Sequence, residues 1–180
     1  IEGESFDASY IINNIMDSDK KSLFFFQNVN PNFKIKIKKT YIDDLNYMNN
    51  LSGNLNFNKN EINNLKLEST FPNGQKINLS IKTSDNLETI TKLYSDYPKP
   101  LIKRYDFIKG FEGGTLKFYS LKKNDVSNSV LVINNFKIKE VPIFAKLLNL
   151  SSLQGIADLL TGDGIRFTDF EMNFSNQKGL

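Results

Sequence analysis

The residues that could carry out acid–base chemistry are few, and all of them are carboxylates. The chain of 180 residues contains no histidine and no cysteine, which excludes thiol nucleophiles, disulfides, Cys/His zinc sites and His-based proton transfer. The remaining candidates are the pair Asp43–Asp44, and Asp163, Asp169 and Glu171 near the C-terminal end. A carboxylate pair can act as general acid and base when one member is desolvated.

The positions of these acids favour structural roles. Asp43 and Asp44 come between two strand-like segments, where aspartate commonly bonds to the backbone of a turn. Asp163 lies in TGDG, which is typical of a helix-to-strand turn, and Asp169 and Glu171 alternate with apolar residues, which predicts a solvent face. The sequence therefore predicts no enzyme, no cofactor and no metal site.

Phosphate and nucleic-acid motifs are also weak. GFEGG (110–114) has the glycines but not the Lys-Ser/Thr of a phosphate loop, so we interpret it as a tight turn before a strand. Charge is nearly balanced, with 23 basic and 20 acidic residues and a net charge of +3. Arg104 and Arg166 are the only arginines, and bidentate recognition of phosphate or guanine depends largely on arginine. We therefore expect no nucleic-acid partner.

The densest basic cluster is Lys34, Lys36, Lys38 and Lys39. Lysines on the outer face of a strand usually keep it soluble, and the alternative is attraction to a membrane surface with anionic lipid head groups. No run of about 18 apolar residues occurs, so no segment of this sequence is expected to span a bilayer. The length suits one domain over residues 1–180, and the start at Ile1 indicates a piece of a longer chain.

The elements that would position side chains are mostly strands. Residues 33–42 alternate apolar side chains with lysines, which predicts a half-buried antiparallel strand. Similar one-sided patterns predict a meander, in which PNGQ (72–75) forms a hairpin turn. The further predicted strands are 51–58, 64–71, 76–83, 113–121, 129–140 and 164–174.

Three segments have helical spacing. Residues 6–19 predict a short helix with Asp7 as its N-cap. Residues 84–114 begin with apolar residues on one helical face and are broken by YPKP, and 142–161 carries leucines after Pro142. The predicted fold is α+β: a mostly antiparallel, curled β-sheet that forms a groove, with two helical insertions packed on its apolar face.

The last seventy residues resemble a known family. The glycine pair Gly113–Gly114 precedes a strand, FKIKEVP (136–142) leads into a helix, and IFAKLLNLSSLQGIADLLTGDGIRF follows before the closing strand TDFEMNF. This pattern, continuous over about sixty residues, resembles the C-terminal region of the AsmA-like family of bacterial envelope proteins, in its YhdP branch. SFDAS and LSGNLNF are similar to the same family more loosely, whereas LYSDYPKPLIKRYDFIKG is more basic and aromatic than the family pattern.

The resemblance implies a role in the cell envelope. Members of this family are anchored in the inner membrane at the N-terminus, extend across the periplasm and consist of stacked β-sheet units that form a long apolar groove. They are implicated in phospholipid transport between the inner and outer membranes and are not enzymes. The resemblance therefore implies a phospholipid partner, with an anchor outside this chain and other envelope proteins as further partners.

Under this interpretation the functional residues are apolar, because burial of each methylene of an acyl chain gains about 0.8 kcal/mol. The alternative is a structural or docking module of the cell envelope, whose core is closed by its own helices and holds no lipid. The groove-lining candidates are Phe33, Ile35, Ile37, Leu55, Phe57, Leu65, Leu67, Ile77, Leu79, Ile81, Leu116 and Phe118 on strands, and Leu147, Leu148, Leu159 and Leu160 on the last helix.

Overall fold

The protein is a single curled sheet in the computed structural model, which describes residues 1–9, 30–58, 61–102, 110–139 and 164–177. In these ranges nine strands follow one another in sequence order. β1 pairs with β2 in parallel, and each later strand pairs antiparallel with the one before it. The strands are β1 (Glu2–Asp7), β2 (Asn32–Tyr41), β3 (Tyr47–Asn58), β4 (Glu61–Thr70), β5 (Lys76–Thr83), β6 (Glu88–Ser95), β7 (Phe111–Lys123), β8 (Val126–Ile138) and β9 (Ile165–Gln177), and a short helix α1 (Lys99–Ile102) lies between β6 and β7.

The predicted meander is confirmed, including its Asn-Gly turn. β4 and β5 join through residues 71–75, where the Phe71 amide donates to the Gln75 carbonyl at 2.7 Å. Gly74 has φ of 82°, a left-handed conformation that glycine adopts without a steric penalty. Within β2 the exposed lysines alternate with half-buried or buried apolar residues, as the sequence predicts.

The two predicted helical insertions are not borne out. The first was expected to begin at residue 84, but residues 88–95 form β6, and Leu87 lies in a turn with φ of 60° and 72% exposure. Paired strands on both sides, β5 and β7, satisfy the backbone of this segment, and tertiary pairing overrides weak helical spacing. The second, 142–161, lies outside the described residues.

The N-terminal helix prediction is partly wrong. Phe6 and Asp7 belong to β1, because their backbones pair with Thr40 and Tyr41 of β2. A hydrogen bond from the Ser9 side chain, and a second one of 2.9 Å from the Ser9 amide, lower the pKa of the Asp7 carboxyl. Residues 10–19 of the predicted helix lie outside the described part of the chain.

Among the described residues, two buried clusters lie at the same end of the sheet, where β6 ends and β7 begins. Ile42, Met48 and Phe71 form the smaller one, against which Tyr97 packs. The larger cluster contains Ile102 of α1 with residues of β7 and β8, namely Phe111, Leu116, Ile133 and Phe136. At this end the apolar side of the sheet is therefore filled by the protein's own side chains.

At this end, residues with a left-handed backbone conformation change which face of the sheet the neighbouring side chains point to. Phe111 and Leu116 would lie on opposite faces in a regular strand, yet both belong to the larger cluster. Gly113 and Gly114 between them have φ of 71° and 79°. Opposite them in β8, Asn135 has φ of 53°. Residues 111–114 of GFEGG are therefore part of β7 itself, where the glycines reset the alternation, and our prediction of a turn before the strand holds only for Gly110.

Within the described ranges, no helix is long and apolar enough to cross a membrane.

Candidate functional site

The apolar face of the sheet contains a row of residues, none with a polar side chain, that crosses eight strands. Paired residues in a sheet point to the same face, so the register from β2 to β9 identifies the members directly. With strands about 4.8 Å apart, the row is about 34 Å long. Its members are Ile35, Gly53, Leu67, Leu79, Leu93, Phe118, Leu131 and Met172; we call them the apolar row.

The predicted groove-lining residues of the strands share this face. Phe33, Leu55, Leu65 and Ile81 form a second row beside the apolar row. Phe57 joins them, since its ring meets that of Phe33 edge-on at 6.4 Å. On the other side of the apolar row lie Ile37, Ile77 and Leu116. The four helix candidates, Leu147, Leu148, Leu159 and Leu160, lie outside the described residues.

The two flanking rows are interrupted by hydroxyl groups, whereas the apolar row is not. Past Ile81 the second row continues as Thr91, Ser120 and Ser129, and the hydroxyls of Ser120 and Ser129 are 2.9 Å apart. The row beyond Ile77 contains Ser95, which is fully buried. The only path of uniform hydrocarbon character across the described strands is therefore the apolar row.

Several members of this face were missed by the sequence prediction. The helical spacing at the start of residues 84–114 includes Leu93, which lies in β6. Val130 to Ile133 form a continuous apolar run, which carries no alternation from which to choose a face. In β9 the predicted alternation of apolar and polar residues is confirmed. Phe170, Met172 and Phe174 lie on the apolar face, and each is about two-fifths exposed.

The lysines on the opposite side of the sheet, which we call the lysine face, include Lys34, Lys36, Lys66, Lys82, Lys92 and Lys117. A cross-strand row there runs Lys34, Asn54, Lys66, Ser80, Lys92 and Tyr119. Lysines thus alternate with smaller polar residues from β2 to β6. Two shallow recesses of about 570 and 230 Å³ lie on this face and share Lys66 and Glu68 in their walls.

Ion pairing divides these lysines into two groups. Lys36 pairs with Glu2 at 3.6 Å, and Lys66 pairs with Glu68 at 2.8 Å. The hydrogen bond from Lys66 lowers the pKa of the exposed Glu68 carboxyl. The other four have no carboxylate within 4.0 Å among the described residues; these unpaired lysines are Lys34, Lys82, Lys92 and Lys117.

Tyrosines stand beside two of the unpaired lysines. Lys92 is opposite Tyr119, and Tyr94 is opposite Lys117. The Tyr94 hydroxyl donates to a carboxylate oxygen of Asp96, and this bond raises the Tyr94 pKa. Tyr119 is 40% exposed, so its ring is accessible at the surface.

The candidate acids have local partners. The Asp43 carboxylate accepts hydrogen bonds of 2.8 Å from the amides of Leu45 and Asn46, which is the turn role that the sequence predicts. Asp169 accepts from the side chain of Asn134 at 2.6 Å. No group of three or more potential metal ligands occurs among the described residues, and Asp163 lies outside them.

Comparisons of the chain with protein-family models, with curated proteins and with solved structures give no match.

Proposed function

We propose that this chain is a segment of an inner-membrane-anchored periplasmic bridge-like protein that takes part in phospholipid transport between the inner and outer membranes. Its apolar face binds acyl chains, while phospholipid head groups stay in water at the edges of the sheet. The resemblance of residues 113–174 to the AsmA-like family supports the cellular role. The apolar row supports the binding mode.

The apolar row is the observation that carries the proposal. A mobile acyl chain needs a path without polar interruptions, because each methylene that leaves hydrocarbon for water costs about 0.8 kcal/mol. The row runs across the strands, so a chain could move along it without crossing the hydroxyls of Ser120 or Ser129. Its central members, Leu67, Leu79 and Leu93, are only half-buried.

The test compares two neighbouring positions of β5 that point to opposite faces. Leu79 belongs to the apolar row, and Ser80 lies on the lysine face. We expect phospholipid to co-purify with the full chain, as detected by mass spectrometry after organic extraction. Leu79→Asp should abolish the bound lipid, and Ser80→Asp should leave it unchanged, with circular dichroism confirming that both variants fold.

A photo-crosslinking amino acid at each position supplies a second readout, with lipid adducts expected at position 79 and not at position 80. Purified protein without lipid and without adducts at position 79 would refute acyl-chain binding. Equal lipid in both aspartate variants would place the lipid elsewhere.

The second candidate function is a structural or docking module with a closed core. The specific observation in its favour is the larger cluster, in which Ile102, Leu116 and Ile133 are at most 3% exposed. This module would hold no lipid, and it is the function that remains if the Leu79 experiment fails.

A further inference from the structure

We propose that the lysine face binds the surface of an anionic lipid membrane. This surface is on the opposite side of the sheet from the apolar row, so the proposal goes beyond acyl-chain binding and does not depend on it. The unpaired lysines, the tyrosines between them and the extent of the face are the observations that carry it.

The unpaired lysines give the face a positive field. Four of the acidic groups near them are paired with lysines, and the two carboxylates at the β9 edge keep their charge but lie beyond β8. Glu2, Glu4, Glu68 and Glu88 each pair with a lysine, and Asp169 and Glu171 at the β9 edge accept hydrogen bonds from asparagine side chains. Charges without a local partner attract counter-ions, and an anionic leaflet supplies them at high density.

The spacing of the lysines suits an extended partner better than a single small anion. Lys34 and Lys92 lie in the same cross-strand row, four strands apart, which corresponds to about 19 Å. Lys117 extends the set to β7. One phosphate could reach two of these ammonium groups at most, whereas a layer of head groups can meet all of them.

The tyrosines fit the boundary between lipid and water. Tyr94 and Tyr119 alternate with Lys92 and Lys117 over β6 and β7, and Tyr119 is exposed. Tyrosine prefers membrane interfaces because its ring is apolar and its hydroxyl stays hydrated. The recess of about 570 Å³ among these side chains has room for head groups to enter beside the rings.

The experiment measures partition of the full chain onto vesicles of pure phosphatidylglycerol and of pure phosphatidylcholine by co-sedimentation. We expect binding to the anionic vesicles alone, and release at about 1 M salt, where the Debye length falls to about 3 Å. A surface lysine contributes about fivefold to such partition. Lys92→Gln combined with Lys117→Gln should therefore weaken binding about 25- to 30-fold.

The matched control removes the same charge from elsewhere. Lys99 and Lys122 are both exposed: Lys99 belongs to α1 and not to the sheet, and Lys122 pairs with Thr89 on the apolar side of β7. The Lys99→Gln, Lys122→Gln double variant should therefore change partition less than about threefold, because only net charge is lost. Equal losses in the two double variants would overturn the proposal, as would equal binding to both kinds of vesicle.

Two further measurements distinguish membrane binding from binding of free phosphate and from binding of acyl chains. Inorganic phosphate should displace the protein no better than chloride at equal ionic strength; specific displacement would mean a site for free phosphate and would overturn membrane binding. Leu79→Asp should leave vesicle partition unchanged, so loss of acyl-chain binding and loss of membrane binding are measured independently.

Discussion

Gly53→Ala should destabilise the sheet strongly, because β3 and β4 approach too closely at this point for a side chain. A Cβ at position 53 would lie 1.8 Å from the Lys66 carbonyl oxygen, and contacts below 3.0 Å essentially never occur. The two strands must therefore separate locally by about 1.2 Å. That movement stretches an N–H···O hydrogen bond from about 2.9 Å to beyond 4 Å, which breaks it.

The cost follows from the bonds on either side of Gly53. Two ladder hydrogen bonds at about 0.5–1.5 kcal/mol each, with about 1–3 kcal/mol of over-packing strain, amount to about 2–6 kcal/mol of unfolding free energy. For a chain of this length the melting temperature should fall by about 5–20 °C. Urea unfolding followed by circular dichroism measures the free energy directly.

Gly3→Ala is the matched control. The nearest atom to a Cβ at position 3 is 3.9 Å away, so this variant should stay within about 0.5 kcal/mol of the wild type. If Gly53→Ala costs no more than Gly3→Ala, the close approach of β3 and β4 is wrong, and with it the position of Gly53 in the apolar row.

Two further predictions concern a buried hydroxyl and an exposed ion pair. Thr40 is 1% exposed and its Oγ1 has no hydrogen-bond partner in the described structure. Thr40→Val should raise the free energy of unfolding, measured with urea, by about 1 kcal/mol, and a destabilised variant would mean that the hydroxyl has a partner. The Lys139 ammonium lies 2.9 Å from the Glu112 carboxylate, and its hydrogen bond lowers the Glu112 pKa below the ordinary value of a glutamate. The ion pair therefore stabilises the fold above the pKa of the unfolded chain, and this stabilisation is lost as the pH falls through the lowered pKa of the folded state. Glu112→Gln should be less stable than the wild type at neutral pH and equal to it in acid, by urea unfolding at both pH values; the same difference at both would contradict the ion pair's role.

The sequence predicts the strands whose two faces differ in polarity. β2 places apolar residues and lysines on opposite faces, and its predicted bounds differ from the observed ones by one residue at each end. β1 has no such contrast: all six of its residues are exposed, and pairing with β2 alone makes it a strand. β6 has Ile90 and Tyr94 on the lysine side and Leu93 on the apolar side. Because apolar residues occur on both faces, their spacing in the sequence is the same as on one face of a helix.

The groove-lining face could be predicted wherever alternation is regular. It could not be predicted beyond Gly113 and Gly114. Their left-handed backbone changes which face the side chains point to, and the pattern of residue types does not show this change. Phe111 and Phe136 therefore join the apolar side by conformation rather than by spacing. The row of lysines across β2, β4 and β6 could not be predicted either, because it depends on the register between strands and not on the sequence of any one segment.

β1, the strand that pairs in parallel, is expected to join the sheet at a different stage of folding from the other strands. β2 to β8 pair mostly through short connections, whereas Glu2 pairs with Lys36 across more than thirty intervening residues. Closing the longer loop costs more entropy, so we expect β1 to dock last. Until then β2 is an open edge, and Lys34, Lys36 and Lys38 along it repel the strands of neighbouring molecules. The same lysines thus protect the half-assembled sheet from aggregation before Glu2 and Glu4 neutralise two of them.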